Sequence, residues 1–199
     1  EWPYVVTDNI GGVSKGVKHL ANLGHRDVGF VYPVDIACGI TQSYQERLTG
    51  FRMSISDLGL KINSDYIKPV MYGQIGDFKD STEQMIYLGK VAAREYMALD
   101  TLPTGLVVAN DLIAIGLIKG FIEKEITVPN DISIVGFDDI PLGEHYNPSL
   151  TTLRINKEKM GEVAFEVLLD MINGRYEEKS ERKNIISVEL IPRESSESI

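Results

Sequence analysis

The sequence predicts an α/β fold with a mainly parallel sheet and helices on both faces. Short apolar runs alternate with longer segments of helical periodicity along the 199 residues, which is typical of β-α-β units. Polar residues, mostly Asp and Asn, follow several of the apolar runs, as at Asn110 and Asp138. In open α/β sheets, the carboxyl ends of the strands form the edge at which ligands bind.

Each strand is predicted from a short apolar run that is bounded by polar residues, Gly or Pro. In chain order these strands lie at 4–6, 28–32, 67–72, 106–109, 132–135, 150–155 and 185–191. Each helix is predicted from apolar residues that recur at intervals of three and four positions. In chain order these helices contain residues 13–21, 43–58, 81–100, 112–125 and 157–172.

Residues at the boundaries support several of these elements. Gly24 follows the first helix, and glycine readily adopts the left-handed conformation found after helix C-termini. Ser43 and Glu46 fit a capping box, in which the two side chains satisfy N–H groups at the start of a helix. Pro69 lies in the third strand, and because proline lacks an N–H, this strand is predicted to lie at a sheet edge.

Three segments have no strong helix or strand pattern. The segments at 73–80 and 176–183 are polar or charged, and both are predicted to be solvated loops. The tail at 195–199 is polar and rich in Ser, and it is predicted to be disordered.

The composition argues against several classes of protein. The net charge of −9 disfavours non-specific binding to nucleic acid, which depends on Lys and Arg. The single cysteine, Cys38, cannot form an internal disulfide and suits a reducing compartment. The chain has no signal-peptide pattern and no apolar run near the roughly 18 residues of a membrane-spanning helix. We therefore expect a cytoplasmic protein, and because the chain begins almost directly in a strand, we expect a piece of a longer one.

One rim of the predicted sheet carries many carboxylates and amides. They are Asp8, Asn9, Asp35, Asp77, Asn110, Asp111, Asp138 and Asp139. Asp and Asn also favour helix N-caps and turns, which is the structural alternative for each of these residues. Together with a few aromatic residues, a rim of hydrogen-bond acceptors is suited to a ligand with many hydroxyl groups.

Four segments resemble the effector-binding part of lactose/galactose-repressor-family (LacI/GalR) transcriptional regulators. They are VVTDNIGGVSKGVKHLANLGHRDVGFV, YQERLTGF, PTGLVVANDLIAIGLIKGF and PNDISIVGFDDIPLGEHYNPSLTTLRINKEKMGEVAFEVLLDMING. The resemblance covers nearly the whole chain. Its specific part is the combination of PTGLVVAND and ISIVGFDD, followed in order by PSLTTLR.

The resemblance implies a type I periplasmic-binding-protein-like core of two subdomains with the effector in the cleft between them. It also implies a homodimer, with DNA bound through a helix-turn-helix head that this chain lacks. By resemblance, residues 8–154 and 187–194 form the C-terminal effector-binding subdomain. Residues 1–7 and 155–186 are then remnants of an N-terminal subdomain that is largely missing. The helix at 157–172 would lack its normal partners, so we expect it to pack against another chain, to swap or to be mobile.

Three residues are expected at the effector by this resemblance. Asp138 matches the motif position that binds sugar hydroxyls, and a carboxylate accepts strong hydrogen bonds; its alternative is a turn cap. Arg47 matches the Arg of an R-x-x-G-F pattern and suits bidentate contacts; its alternative is a surface ion pair, for example with Glu46. Asn110 matches an Asn that contacts ligand, and its amide both donates and accepts. Asp111 is expected to cap the next helix.

Three further residues are weaker candidates for effector binding. Thr41 and Ser43 match loop positions that touch the effector in the family, although Ser43 is also the predicted helix N-cap. Phe78 is suited to stacking on the face of a sugar or a purine, and its alternative is packing within a loop.

The resulting hypothesis is the ligand-sensing domain of a bacterial-type transcriptional regulator. Its small effector is expected to be a sugar, and no catalysis, cofactor, metal or membrane contact is expected. The alternative is a periplasmic sugar-binding protein or receptor domain, which would need an upstream export signal. A Mg²⁺-dependent α/β enzyme with Asp8, Asp111 and Asp138 as ligands is disfavoured, because no nucleophile–base pair and no phosphate loop accompanies these residues.

Overall fold

The computed structural model describes residues 2–73, 78–175 and 182–199, so Asp77 and most of the predicted loop at 176–183 lie outside the described residues. The strands are β1 (Tyr4–Thr7), β2 (Val28–Asp35), β3 (Ile67–Tyr72), β4 (Gly105–Val108), β5 (Ser133–Val135), β6 (Thr152–Ile155), β7 (Lys183–Ile186) and β8 (Val188–Ile191). The helices are α1 (Asn9–Asn22), α2 (Gln42–Asp57), α3 (Ser81–Met97), α4 (Asp111–Ile122), α5 (Pro141–Glu144) and α6 (Lys157–Ile172). The short helix α5 occupies a segment with no predicted helix.

The central sheet has four parallel strands in the order β3-β2-β4-β5. Helices α1 and α2 pack on one face through residues such as Phe51, and α3 and α4 pack on the other through residues such as Tyr96. Leu106 and Val107 of β4 belong to opposite cores, because successive side chains of a strand point to opposite faces. The predicted fold class is confirmed, and β3 lies at an edge of the sheet, as Pro69 indicated.

Two strand boundaries differ from the prediction. β2 continues through Pro33 to its end at Asp35, whereas the sequence predicts an end before the proline. β4 pairs with β2 only as far as Val31, so beyond this point β2 is paired on one side and tolerates the missing N–H of Pro33. The single strand predicted at 185–191 is divided at Ser187, because β7 pairs with β1 whereas β8 pairs with β6.

The chain forms two units. The large unit contains the central sheet, helices α1 to α4 and the antiparallel pair β6–β8, which packs against α1. The small unit contains the parallel pair β1–β7 and α6, which contacts both strands. No residue of α6 is buried, and Phe165 and Ile172 are 61% and 70% exposed. The apolar face of α6 therefore faces solvent in the single chain.

Within the described residues, the chain passes between the two units at three places. β1 continues into α1 at Asp8, β6 continues into α6 at Asn156, and β7 continues into β8 at Ser187. The Asp8 N–H donates to the Ile186 oxygen at 2.9 Å, which extends the β1–β7 ladder. The Asp8 side chain accepts from the Gly11 N–H at 2.8 Å and caps α1. Asp8 therefore ends the small unit and begins the large one.

The C-terminal tail is ordered in the structure, which corrects the predicted disorder at 195–199. Ser195 is fully buried; its backbone oxygen accepts from the Ile134 N–H at 2.7 Å, and its hydroxyl donates to the Ile134 oxygen at 2.6 Å. Further along the tail, His25 Nε2 lies 3.0 Å from the Glu197 oxygen. The polar Ser195, in the tail that was predicted to fray, instead hydrogen-bonds to the backbone N–H and oxygen of Ile134 in β5.

Helices α3 and α4 approach each other closely at two glycines. A Cβ atom on Gly89 would lie 2.2 Å from the Ile113 oxygen, and one on Gly116 would lie 2.1 Å from the Ile86 oxygen. These distances are too short for a carbon and an oxygen, so glycine is required at both positions for this packing.

Candidate functional site

Three of the six predicted site residues meet at the carboxyl ends of β4 and β5. Asn110 Nδ2 donates to Asp138 Oδ2 at 3.1 Å, and Arg47 Nη1 lies 3.5 Å from Asp138 Oδ1. Arg47 comes from the second turn of α2, whereas Asn110 and Asp138 follow the two strands. We refer to Arg47, Asn110 and Asp138 as the charged cluster.

Asp138 is a partly exposed carboxylate with an unusual backbone. Its side chain is 22% exposed, and its φ angle of 115° lies in a region that residues other than glycine disfavour. Such backbone strain costs about 1–3 kcal/mol. Burial raises the pKa of Asp138 to about 6, while the Arg47 guanidinium opposes this rise and the Asp111 carboxylate adds to it. Strained backbones and perturbed pKa values both concentrate at functional sites.

Arg47 is buried and held by three groups other than Asp138. Its Nε donates to Asn9 Oδ1 at 2.9 Å, and its Nη1 donates to the Ala109 oxygen at 2.5 Å. The guanidinium carbon lies 3.6 Å from the centroid of the Phe137 ring, a cation–π contact. Burial lowers the pKa of Arg47, and the Asp138 carboxylate opposes this effect. The alternative of a surface ion pair with Glu46 is wrong, because Arg47 points inward from α2.

Asn110 has two tasks in the structure. Its Oδ1 accepts from the Leu112 N–H at 2.9 Å, so Asn110 caps α4, while its Nδ2 holds Asp138. The predicted cap, Asp111, is instead fully buried and accepts from Thr152 Oγ1 at 2.6 Å and from the Ile140 N–H at 2.9 Å. The prediction for Asp111 is wrong because Asn110 has the extended backbone of an N-cap, whereas Asp111 is the first residue inside the helix.

Thr41 and Ser43 lie at the start of α2, outside the charged cluster. The helix begins at Gln42, and Thr41 occupies the N-cap position without a side-chain cap bond. The predicted capping box is therefore wrong, and Glu46 instead accepts from Asn9 Nδ2 at 2.8 Å. Ser43 is exposed and lines a cavity of about 340 Å³ between the two units, together with Arg47, β1 and Met160 of α6.

Phe78 packs against a helix in this structure. Its ring centroid lies 5.3 Å from that of Tyr87 on α3, with the rings tilted by 48°. Phe78 therefore packs against α3 and not within its own loop, and among the described residues no hydrogen bond or ring contact joins it to the charged cluster.

Three residues beside the charged cluster were not predicted as site residues. Asn9 and Glu46 hydrogen-bond to each other, and Asn9 also binds Arg47. Tyr44 is half-buried, its ring centroid lies 5.5 Å from the Arg47 guanidinium, and burial raises its pKa. The spacing of three between Tyr44 and Arg47 on one helix was a usable signal. No local pattern connects Asn9 with residues 37 positions away.

The described residues contain no group of three or more His, Cys, Asp or Glu side chains placed to hold a metal ion. The carboxylates of the magnesium alternative have separate partners: Asp8 caps α1, Asp111 binds Thr152, and Asp138 binds Asn110. Among the helices of the described ranges, none is both long and apolar enough to cross a membrane.

These features define a ligand-binding type of α/β domain, with a polar cluster at the carboxyl ends of its strands. The family model for the periplasmic binding protein-like domain matches residues 17–196. The chain therefore belongs to the periplasmic binding protein-like domain family, in the form that provides effector binding in LacI/GalR-type regulators.

Sequence relatives agree with this assignment. The HTH-type transcriptional repressor PurR of Pasteurella multocida is 35% identical over 184 residues, which cover 91% of this chain and 49% of that protein. PurR of Vibrio cholerae serotype O1 is 31% identical over 177 residues, covering 88% of this chain and 47% of that protein. The chain thus spans about half the length of the curated relatives it matches. These relatives are transcriptional repressors and not enzymes.

Solved structures show the same fold. A regulatory protein of the LacI family from Chloroflexus aggregans superposes with a TM-score of 0.81 at 24% identity, over 98% of this chain and 64% of that one. A LacI family transcriptional regulator from Enterococcus faecium, solved with bound ribose, has a TM-score of 0.76 at 26% identity, over 98% of this chain and 65% of that one.

Proposed function

We propose that this chain is the ligand-sensing part of a transcriptional regulator and that its effector is a sugar. The charged cluster carries the proposal. Asp138 accepts hydrogen bonds, Arg47 donates them and the Asn110 amide does both, a set that suits neighbouring hydroxyl groups. The Enterococcus faecium relative with bound ribose supports a sugar as the ligand class.

We propose that the two units correspond to two subdomains with the effector between them. The large unit corresponds to the C-terminal effector-binding subdomain, at 8–154 and 187–194. The small unit, from 1–7 and 155–186, belongs to a second subdomain that residues outside this chain complete. The greater length of the relatives and the uncovered apolar face of α6 support this division.

The proposed mechanism is a shift between two orientations of the units. An effector that contacts both units favours the orientation in which both sets of contacts form, and it shifts the population only by its differential affinity. In the whole protein, we propose a cytoplasmic homodimer that passes this orientation to helix-turn-helix heads on DNA. The designation of the relatives as HTH-type repressors supports this arrangement.

The test uses the protein encoded by the complete reading frame. Calorimetric titration with D-ribose, D-glucose, D-galactose and cellobiose is expected to show binding of at least one of these sugars. Asp138→Ala is expected to abolish that binding, because it removes the acceptor of the charged cluster. Asp65→Ala, at an exposed carboxylate outside the cluster, is the matched control and should bind normally.

Two results would contradict the proposal. Binding of none of the four sugars would contradict the effector class. Normal sugar binding by Asp138→Ala, with an intact fold by circular dichroism, would remove the charged cluster from the site.

A further inference from the structure

We infer that Asn9 is a positioning residue that directs Arg47 and links this direction to the orientation of the small unit. The inference rests on the proposed function, in which Arg47 contacts the effector. Asn9 itself is 4% exposed, lies beside Arg47 at the cavity between the two units and acts through Arg47.

The hydrogen bonds of Asn9 fix the orientation of its amide. Its Oδ1 accepts from Arg47 Nε at 2.9 Å, and its Nδ2 donates to Glu46 Oε2 at 2.8 Å. A guanidinium only donates and a carboxylate only accepts, so the reverse orientation of the amide would lose both bonds. Asn9 therefore bridges a cation and an anion that are adjacent on α2.

Asn9 also lies next to the point at which the chain passes from β1 of the small unit into α1 of the large unit. It follows Asp8 directly, and the Asp8 N–H bonds to the Ile186 oxygen of the small unit. Close packing holds the start of α1 against α2, since a Cβ on Gly50 would lie 2.7 Å from the Ile10 oxygen. Asn9 is therefore the residue of α1 nearest in sequence to this crossing.

The distance between Arg47 and Asp138 is longer than the other hydrogen bonds of the Arg47 guanidinium. Arg47 Nη1 lies 3.5 Å from Asp138 Oδ1, whereas Asn9 and Ala109 bind the guanidinium at 2.9 Å and 2.5 Å. Asn9, Ala109 and the Phe137 ring therefore hold the guanidinium more closely than Asp138 does. A displacement of Asn9 would therefore change the position of the Arg47 guanidinium relative to a ligand bound at Asp138.

The first test is spectroscopic and needs no effector. The Arg47 Nε–H resonance, assigned by its absence in Arg47→Lys, should exchange slowly with solvent in the wild-type protein. Asn9→Ala should remove this protection, and Glu46→Gln should retain it, because glutamine still offers an oxygen to the Asn9 amide. Slow exchange that persists in Asn9→Ala would overturn the inference.

The second test measures sugar affinity by calorimetry in the whole protein, with the four sugars named above. Asn9→Ala should weaken binding about 10- to 100-fold, as expected for loss of a buried bond to a charged group. Gln45→Ala, an exposed neighbour on α2, is the control.

The outcomes separate the inference from the proposed function. Unchanged affinity in Asn9→Ala, with binding lost in Arg47→Lys, would overturn the inference alone. Absence of sugar binding in the wild-type protein would contradict the proposed function, and the exchange experiment would still decide whether Asn9 positions Arg47.

Discussion

Replacing Asp138 by Asn is expected to stabilise the protein at neutral pH. The substitution keeps the shape of the side chain and removes its charge. Burial raises the pKa of Asp138 from 3.8 to about 6, so the folded protein holds this proton more tightly than the unfolded chain does. The ionised carboxylate therefore costs stability, despite its contact with Arg47.

The magnitude and the pH range follow from this pKa. A rise from 3.8 to about 6 corresponds to about 3 kcal/mol of unfolding free energy. Because the folded pKa lies above the unfolded one, the full stability is present below pH 3.8 and is lost as the pH rises through about 6. Asp138→Asn should therefore gain about 3 kcal/mol at pH 7, about half of that at pH 5, and only about 0.5 kcal/mol near pH 4.

The assay is urea unfolding of the wild type and the variant at pH 4, 5, 6, 7 and 8. Asp65→Asn, at an exposed carboxylate, is the matched control and should show no comparable gain at pH 7. A variant less stable than the wild type at pH 7 would refute the reasoning, because it would show that Arg47 more than compensates for the burial of the charge. The same variant should fail to bind sugar, so that stability is gained where function is lost.

Four further predictions concern packing, the tail, a buried histidine and association. Gly89→Ala should lower the unfolding free energy by about 1–3 kcal/mol through its clash with α4, and its thermal midpoint should fall below that of the wild type. Gly161→Ala, in open space on α6, should have a thermal midpoint equal to or above that of the wild type. Equal thermal midpoints for the two variants would contradict this prediction. Deleting 195–199 should cost at least about 2 kcal/mol in urea unfolding, since buried bonds to β5 are lost. Burial lowers the pKa of His25 below 6.5, and the Glu197 oxygen opposes this effect, so this histidine should contribute stability that is lost as the pH falls below about 6.5 in urea unfolding. The 199-residue chain should self-associate in sedimentation experiments, and Phe165→Ser should reduce this; unchanged association would show that the α6 face plays no part.

Much of the fold was predictable because single physical patterns decide single elements. The bounds of α6 follow from its apolar periodicity, from Asn156, which caps it, and from Gly174, which has a φ of 65°. Pro69 correctly indicated an edge strand. The tail was not predictable, because the Ser195 hydroxyl donates to the Ile134 oxygen of β5, which lies 61 positions away.

The charged cluster was predictable only from family motifs. Arg47 and Asp138 are 91 positions apart, and no local pattern brings them together. The sequence also assigned the cap of α4 to Asp111 when Asn110 provides it. Both residue types can cap a helix, and only the backbone conformation decides which of two adjacent residues does so. Glu46 fitted a local capping box, but the distant Asn9 competes for its carboxylate.

The three crossings between the units restrict how the molecule can bend. A single flexible linker would allow the two units to rotate relative to each other about any axis. Two of the crossings, at Asp8 and Ser187, are fastened side by side by the Asp8–Ile186 hydrogen bond, and the third passes at Asn156. Three connections of this kind leave the two units less freedom of relative rotation than one linker would, so fewer relative orientations are open to them.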